Sequence, residues 1–204
     1  MSQKNHEDAN NTFFSYYGSR SGRIFRLLDI AKARFLVKYV DNKKVILDFG
    51  CGTGKLSSVL LKGNNIVYGM DHDPRLLSMA KGKGLITVKS DFRKIPFDNN
   101  FFDVVMSVDS LEHVESREKT MAEIKRVLKP LGQFVVLTPA YDSVFWVIGE
   151  KIANFITGRK KSGHITPFTK ESLAYLLKKN FSEIAVMRRI NFNLGLAAVA
   201  RNKK

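Results

Sequence analysis

The stretch VILDFGCGTGKL, residues 45–56, places the tightest limit on what this chain can fold into. An apolar run that contains the acid Asp48 indicates a short buried strand, and glycines follow at positions 50, 52 and 54. Glycine has no Cβ and adopts positive φ at little cost, so this turn can bring backbone N–H groups close to a ligand. Strand-to-helix turns of this kind usually hold a nucleotide-containing cofactor. We therefore expect a parallel α/β fold that binds a ligand at this turn.

Strand and helix patterns alternate along the middle of the chain. The apolar runs KKVILDFG, NIVYGMD, LITVKSD, FFDVVMSVD and GQFVVLTPA predict five strands, with helical patterns after most of them. An amphipathic helix is expected over residues 21–40. A late helix with Thr169 as its N-cap is followed by FSEIAVMRR and NLGLAAVAR, which predict a closing hairpin. The fold class expected is α/β: a Rossmann-like, doubly wound, mostly parallel seven-stranded sheet with helices on both faces and a C-terminal antiparallel hairpin.

The length of 204 residues suits one domain over 1–204. Residues 1–22 are expected to form an N-terminal arm, in which Tyr16 and Tyr17 either fold over the ligand or anchor the arm to the core. Residues 141–168 are expected to form an insertion that recognises the substrate. The apolar part of this insertion, residues 143–161, predicts a lid, an interfacial helix or an ordinary packing helix.

The spacing of the glycines and the acid narrows the choice of ligand. The pattern is D-x-G-x-G-x-G, which differs from the G-x-G-x-x-G of dinucleotide sites, and Leu56 breaks the phosphate-binding pattern G-x-x-x-x-G-K-[ST]. The carboxylate of Asp48 would repel the phosphates of a dinucleotide and attract an ammonium group. S-adenosylmethionine combines a nucleoside with an α-amino group and carries no phosphate, so it suits the pattern.

At these residues the chain resembles the class I S-adenosylmethionine-dependent methyltransferases, in particular small-molecule enzymes of the quinone-biosynthesis type. The resemblance runs from about Val45 to Ala140 and more loosely to the end of the chain. It rests on five phrases that occur in the family's order: LDFGCGTGKL, VYGMDHDPRLLSMAK, VKSDFRKIPFDNNFFDVV, MSVDSLEHV and RVLKPLGQFVVLTP. In the last phrase Leu131 replaces the first glycine of the family's L-K-P-G-G turn.

The resemblance implies a site for S-adenosylmethionine along the ends of the first four strands. Asp48 would meet the amino group, Asp71 would accept both ribose hydroxyls, and Asp91 would accept from the adenine amino group. His72 falls where many members carry an apolar residue against the adenine, which leaves its role open. Tyr16 would close over the cofactor. The remaining expected contacts come from the glycine loop and the next strand ends: Gly50, Cys51, Gly52, Gly54, Phe92 and Ser107.

The methyl acceptor is expected to be a small, apolar or anionic molecule that is methylated at oxygen. The phrase DSLEHV carries the candidates for catalysis, because a helical turn would bring Asp109 onto one face with Glu112 and His113. His113 would then act as a general base, or Glu112 and His113 would only position the methyl end of the cofactor. A divalent cation held by the three side chains is a weaker alternative, and we predict no metal. His164 either borders the acceptor pocket or caps a turn.

The chain carries 34 Lys and Arg against 19 Asp and Glu, a net charge of +15. Residues 151–204 hold twelve bases against two acids, residues 1–44 hold nine against four, and the middle is balanced. Basic flanks attract an anionic membrane or nucleic acid, or they are simply a solvated surface. An RNA methyltransferase is therefore an alternative function, although SVDS replaces the motif expected for methylation of exocyclic amino groups. Further alternatives are a non-catalytic, membrane-associated cofactor-binding protein and a nicotinamide oxidoreductase.

The single cysteine, Cys51, excludes an internal disulfide and fits a reducing compartment. The polar start of the chain does not resemble a signal peptide. A cytoplasmic protein is therefore expected, with peripheral contact to an anionic membrane as an option. The sequence leaves the oligomeric state open.

Overall fold

The computed structural model of the chain describes residues 22–90, 92–144, 147–148 and 167–202, with side chains of the first helix described from residue 27 on. The helices are α1 Gly22–Tyr39, α2 Pro74–Lys81, α3 Arg117–Val127 and α4 Lys170–Asn180, with 3₁₀ helices at Ser57–Gly63 and Leu111–His113. The strands are β1 Val45–Phe49, β2 Ile66–Asp71, β3 Ile86–Lys89, β4 Phe102–Val108, β5 Leu128–Pro139, β6 Glu183–Ile190 and β7 Gly195–Arg201.

The seven strands form one sheet in the order β3-β2-β1-β4-β5-β7-β6. Strands β1 to β5 run parallel, whereas β7 is antiparallel to both of its neighbours. Strand order reverses at β1, because β2 lies on one side of it and β4 on the other. In open α/β sheets the ligand crevice lies at the carboxyl ends of the strands beside such a reversal. The predicted fold class, including the closing hairpin, is confirmed.

Both faces of the sheet are buried under helices, since successive side chains of a strand point to opposite faces. Ile46 of β1 packs with α1, whereas Leu47 and Phe49 pack in the layer that contains α3 and α4. This explains why β1 is apolar on both faces. The cores are anchored by fully buried side chains from the helices: Phe35 and Leu36 of α1, Met121 and Ile124 of α3, and Leu173 and Leu177 of α4.

The predicted ends of several elements are confirmed. Thr169 caps α4 through a reciprocal pair, because its hydroxyl accepts from the Ser172 N–H at 3.1 Å and the Ser172 hydroxyl accepts from the Thr169 N–H at 2.9 Å. Pro74 occupies the first turn of α2, behind Asp73 as the N-cap. In the part of the chain that the structure describes, no helix combines the length and the hydropathy needed to cross a bilayer.

Two predicted elements differ from the structure. The segment KLSSVLLK forms a 3₁₀ helix, not an α-helix, and it ends where Asn64 takes a left-handed conformation and donates to the Leu61 carbonyl. A segment this short, held between the glycine loop and a left-handed cap, accommodates the tighter turns of a 3₁₀ helix. Strand β5 begins at Leu128, not at residue 132, because Leu128 already pairs with Phe102 of β4.

Residues 129–132 lie where the pairing of β5 with β4 shifts its register, and this irregular stretch carries backbone strain. Leu131 has φ 63° and an exposed side chain, so it occupies the left-handed region without any packing in return. Position 132 does not accept a residue other than glycine, because a Cβ there would lie 2.8 Å from the Lys129 carbonyl oxygen. Leu131, in place of the glycine expected from the family's pattern, therefore raises the free energy of the native state.

We expect Leu131→Gly to raise the free energy of unfolding by about 1 kcal/mol. The substitution removes a left-handed penalty of roughly 1–2 kcal/mol, partly offset by the larger entropy of glycine in the unfolded chain. Urea denaturation of both proteins measures the difference. Leu131→Ala is the control and should stay within about 0.5 kcal/mol of the wild type, because alanine keeps the Cβ. A glycine variant less stable than the alanine variant would show that this stretch is not strained.

Candidate active site

The glycine loop between β1 and the first 3₁₀ helix lies at the carboxyl edge of the sheet. Gly50, Gly52 and Gly54 have φ values of 74°, 52° and 66°, so all three occupy the left-handed region. At Gly50 a Cβ would lie 2.4 Å from the hydroxyl of Ser110, which itself donates to the Gly50 carbonyl at 2.9 Å. The loop is thus packed directly against the segment after β4, and this contact requires a glycine.

The loop uses its amides within the protein. Gly50 and Cys51 donate to the Met70 carbonyl at 2.8 and 3.0 Å, and Gly54 donates to the Cys51 carbonyl at 2.9 Å. The Gly52 N–H donates to Oδ2 of Asp71 at 2.9 Å. The expectation that these N–H groups are exposed to the ligand is therefore wrong for these four residues. A loop that cradles phosphate leaves its amides directed at the anion, so this one is better suited to a ligand without phosphate.

Asp48 lies below the loop and is almost completely buried. Its Oδ1 has no hydrogen-bond partner among the described residues. Its pKa is raised to about 7, mainly by burial; a hydrogen bond from Ser57 offsets part of the increase, and the charge of Asp71 adds to it. A buried acceptor without a donor fits a ligand that brings an ammonium group, because the cation would supply both the hydrogen bond and the opposite charge.

Asp71, at the end of β2, is held as a carboxylate. Burial acts to raise its pKa, but hydrogen bonds from His72 and from the N–H groups of Asp73 and Gly52 outweigh this and lower it. Oδ1 accepts from the Asp73 N–H at 3.0 Å and lies 3.2 Å from Nδ1 of His72. These bonds fix the orientation of the carboxylate. Oδ2, which accepts only from the Gly52 N–H among the described residues, has a further lone pair for a hydroxyl donor.

The expected adenine side contains an aromatic pair. The ring of Phe92 lies 5.8 Å from His72 and 4.8 Å from Phe49, measured between ring centroids. Phe92 itself has φ 67°, so the chain turns sharply at this point. His72 is hydrogen-bonded to Asp71, which raises its pKa above the ordinary value. The predicted contact Asp91 lies outside the described residues.

The acceptor side is formed by the segment after β4. Asp109 has φ 52°, its N–H donates to the Leu137 carbonyl at 2.9 Å, and its carboxylate pairs with the Lys32 ammonium of α1. Glu112 is fully buried, with Oε2 accepting from the Thr138 hydroxyl at 3.1 Å. The pKa of Glu112 is raised to about 8, mainly by burial and in addition by the charge of Asp109. The Glu112 carboxyl is therefore largely neutral at pH 7.

The predicted common face for Asp109, Glu112 and His113 is not found. Residues Leu111–His113 form a 3₁₀ turn, which directs Glu112 into the core and leaves His113 exposed. Within the described ranges, no cluster of three or more His, Cys, Asp or Glu side chains is arranged to hold a metal ion. Ser107 is fully buried next to this segment, and its hydroxyl has no partner among the described residues. Tyr16, His164 and residues 149–161 lie outside them.

Two side chains of α1 complete the edge of the crevice and were not predicted. Asp29 pairs with Lys55 of the glycine loop at 2.6 Å, and Lys32, three residues later on the same helix face, pairs with Asp109. The helix is thereby tied to the segments after both β1 and β4. In the sequence, Asp29 and Lys32 are recognisable only as a charged pair with i, i+3 spacing inside an amphipathic helix. Nothing in the sequence indicates which distant residues they contact.

The comparisons with known proteins agree with this geometry. A family profile described as a methyltransferase domain matches residues 47–136. A ubiquinone/menaquinone biosynthesis C-methyltransferase of Paraburkholderia phytofirmans is 33% identical over 124 residues, 56% of this chain and 49% of its own. A sterol 4-C-methyltransferase of Caenorhabditis elegans is 34% identical over 101 residues, 44% of this chain and 29% of its own. The chain spans about half, or less, of the length of the curated relatives it matches.

Among solved structures, a SAM-dependent methyltransferase from Thermotoga maritima superposes with a TM-score of 0.75 at 18% identity, covering 97% of this chain and 98% of that one. At this identity the likeness shows the shared fold. One kind of domain is indicated by the matching profile, by the relatives and by the donor and acceptor groups at the strand ends. Residues 47–136 match the methyltransferase-domain family, and the described chain has the fold of a SAM-dependent methyltransferase.

Proposed function

We propose that this protein transfers the methyl group of S-adenosylmethionine to an oxygen of a small, apolar or anionic acceptor. The observation that carries the proposal is the combination of two buried carboxyl groups, Asp48 and Asp71, with a glycine loop whose amides at residues 50–52 and 54 are already bonded within the protein. This environment disfavours phosphates and favours an ammonium group and ribose hydroxyls.

The residues that would hold the cofactor lie at the ends of β1, β2 and the segment after β3. Asp48 would pair with the amino group, Asp71 would accept from the ribose, and His72 and Phe92 would flank the adenine. Asp91 and Tyr16 remain expected contacts. When bound, the cofactor supplies a methyl group that is already activated by the positive charge of its sulfur. The chain is then left with two tasks, to align the acceptor and to remove its proton where necessary.

Asp109 is the group best placed to take that proton. Its side chain is 40% exposed at the crevice, and the Lys32 ion pair fixes its position. As the new O–CH₃ bond forms, the hydroxyl proton of the acceptor would pass to a carboxylate oxygen of Asp109. Glu112, buried and largely neutral, would support the site through Thr138 without adding a second negative charge. His113 and His164 remain the alternative proton acceptors.

A second candidate is methylation of a ring carbon. It is favoured by the names of two relatives, which are C-methyltransferases acting in quinone biosynthesis and on a sterol. Both outcomes begin from the same deprotonated hydroxyl, since an enolate or phenolate can react at oxygen or at carbon. Carbon-13 NMR of the product separates a methoxy group from a ring methyl group.

The acceptor class can be tested with radiolabelled S-adenosylmethionine and a panel of hydroxybenzoates, quinols, a sterol and bulk tRNA. Labelling of the small hydroxylated compounds supports the proposal. Labelling of tRNA alone would favour the RNA methyltransferase alternative. Binding of S-adenosylhomocysteine without any transfer would favour the non-catalytic alternative, and saturation by NADH in its place would favour an oxidoreductase.

Asp71→Ala should weaken the binding of S-adenosylhomocysteine about 10- to 100-fold. The reason is the loss of hydrogen bonds to a charged group, each contributing roughly 1.5–3 kcal/mol. Isothermal titration calorimetry measures the affinity. Asp41→Ala, which removes an exposed carboxylate at the opposite edge of the sheet, is the control and should bind as the wild type does. An unchanged affinity in Asp71→Ala would contradict the ribose assignment.

Binding of S-adenosylhomocysteine at pH 6 should release a proton from Asp48. Because the pKa of this carboxyl is raised to about 7, it is mostly protonated at pH 6 and must ionise to pair with an ammonium group. Calorimetry in buffers of different ionisation enthalpy counts the released protons, and the number should fall towards zero at pH 8.5. Asp48→Asn should release none at either pH, whereas Glu112→Gln should behave as the wild type. Equal release from the asparagine variant would remove Asp48 from the amino-group site.

Asp109→Asn should lower kcat about 100-fold or more on an acceptor found in the panel, while the affinity for S-adenosylhomocysteine stays the same. The amide keeps the shape of the side chain but cannot take a proton. Asp41→Asn serves as the matched control for a surface carboxylate. If His113→Gln or His164→Gln abolishes turnover and Asp109→Asn does not, the proton acceptor is a histidine.

A further inference from the structure

The tip of the β6–β7 hairpin exposes an aromatic side chain on a strained backbone. Asn191, Phe192 and Asn193 have φ values of 54°, 54° and 69°, three consecutive left-handed residues without a glycine. For a bulky residue such as phenylalanine this conformation is a genuine outlier. The side chain of Phe192 is 87% exposed, the largest value among the exposed large hydrophobic residues of the described chain. The ring of Phe192 therefore does not contribute to the hydrophobic core.

The tip is nevertheless well anchored. The Leu194 N–H donates to the Asn191 carbonyl at 3.0 Å, and the Leu194 carbonyl accepts from the Ala140 N–H at 3.0 Å. These bonds close the hairpin and tie it to the end of β5. Strained conformations persist where the surroundings enforce them, and they are concentrated at functional positions.

The hairpin tip lies at the same edge of the sheet as the crevice. Gly195, the first residue of β7, pairs with Pro139, the last residue of β5. Asp29 of α1 is tied to the glycine loop at this edge as well. Large apolar side chains are exposed on all three elements here: Leu27 and Ile30 on α1, Val144, Val147 and Ile148 after β5, and Phe192 on the hairpin. We call these six residues the apolar rim.

The net charge of +15 on the chain favours an anionic partner. Residues 151–204 contain twelve Lys and Arg against two acids, and residues 1–44 contain nine against four. Lys170 lies at this edge, because its N–H donates to Asp142, which also pairs with Arg189 of β6 at 2.6 Å. A second copy of the chain is a poor occupant, since two chains of charge +15 repel one another. An exposed apolar surface on a basic protein is typical of proteins that dock on anionic bilayers.

We propose that the apolar rim docks on an anionic membrane, with Phe192 inserted between the headgroups. Docking in this orientation turns the mouth of the crevice towards the lipid. If the function proposed above holds, an apolar acceptor would then enter from the bilayer; the docking itself does not depend on that function.

The test is co-sedimentation of the full chain with vesicles of phosphatidylcholine, with and without 30% phosphatidylglycerol. The wild type should bind the anionic vesicles, and Phe192→Asn should reduce its partition coefficient about tenfold, because an aromatic side chain no longer leaves water. Asparagine tolerates the left-handed conformation, so the turn is kept. The matched control is Leu131→Asn, which removes an exposed apolar side chain, also at positive φ, from the opposite edge of the sheet.

Binding should weaken with added salt, since the electrostatic attraction is screened. Equal vesicle binding by Phe192→Asn and the wild type, or an equal loss in Leu131→Asn, overturns the proposal. If Phe192→Asn changes the sedimentation velocity of the protein without lipid, the apolar rim serves self-association, and this result also overturns the proposal. Calorimetry with S-adenosylhomocysteine is run on the same variants, so a failure of cofactor binding is seen separately from a failure of docking.

Discussion

The hydrogen bond from the Gly52 N–H to Asp71 is the interaction on which the site depends. It joins the loop after β1 to the end of β2, and the bonds from Gly50 and Cys51 to the Met70 carbonyl reinforce the same junction. Because these contacts use the amides of residues 50–52, the junction is poorly suited to cradle a phosphate. The carboxylate that organises the loop also keeps acceptor capacity for hydroxyl groups. One side chain therefore determines both the shape of the crevice and the chemistry of the ligand that it accepts.

The carboxyl groups of the site differ in burial and in hydrogen bonding, and their pKa values differ accordingly. Hydrogen bonds lower the pKa of Asp71, and Asp109 forms an ion pair with Lys32, whereas Asp48 and Glu112 are buried and have pKa values raised to about 7 and about 8. Within each pair, Asp48 with Asp71 and Glu112 with Asp109, ionisation of both carboxyls is opposed by repulsion between like charges. Asp71 and Asp109 therefore lie where the ribose and the acceptor hydroxyl would bind, whereas the titratable groups Asp48 and Glu112 lie deeper in the fold. It also links the occupancy of the crevice to pH.

Helix α1 brings the two sides of the crevice together. Its ion pairs from Asp29 to Lys55 and from Lys32 to Asp109 span the segments after β1 and β4, between which strand order reverses. The same end of the helix carries Leu27 and Ile30, which belong to the apolar rim. Cofactor side, acceptor side and the proposed docking surface thus share one edge of the sheet, as expected if an apolar acceptor and its cofactor are to meet away from water.

The sequence by itself determined the sheet, because a run of apolar strands with alternating faces can be buried only between two layers of helices, and the glycine spacing with Asp48 marked the ligand edge. Local chemistry was equally readable at Thr169 and Pro74. Only the tertiary structure decided where Lys32 and Asp29 reach, that Glu112 points inward while His113 does not, and that the loop amides are internally bonded. These outcomes depend on side chains distant in sequence that meet after folding, and on backbone conformations, such as that of Phe192, that no local pattern favours. Periodicity reports which face of an element is buried, but not which partner it meets there.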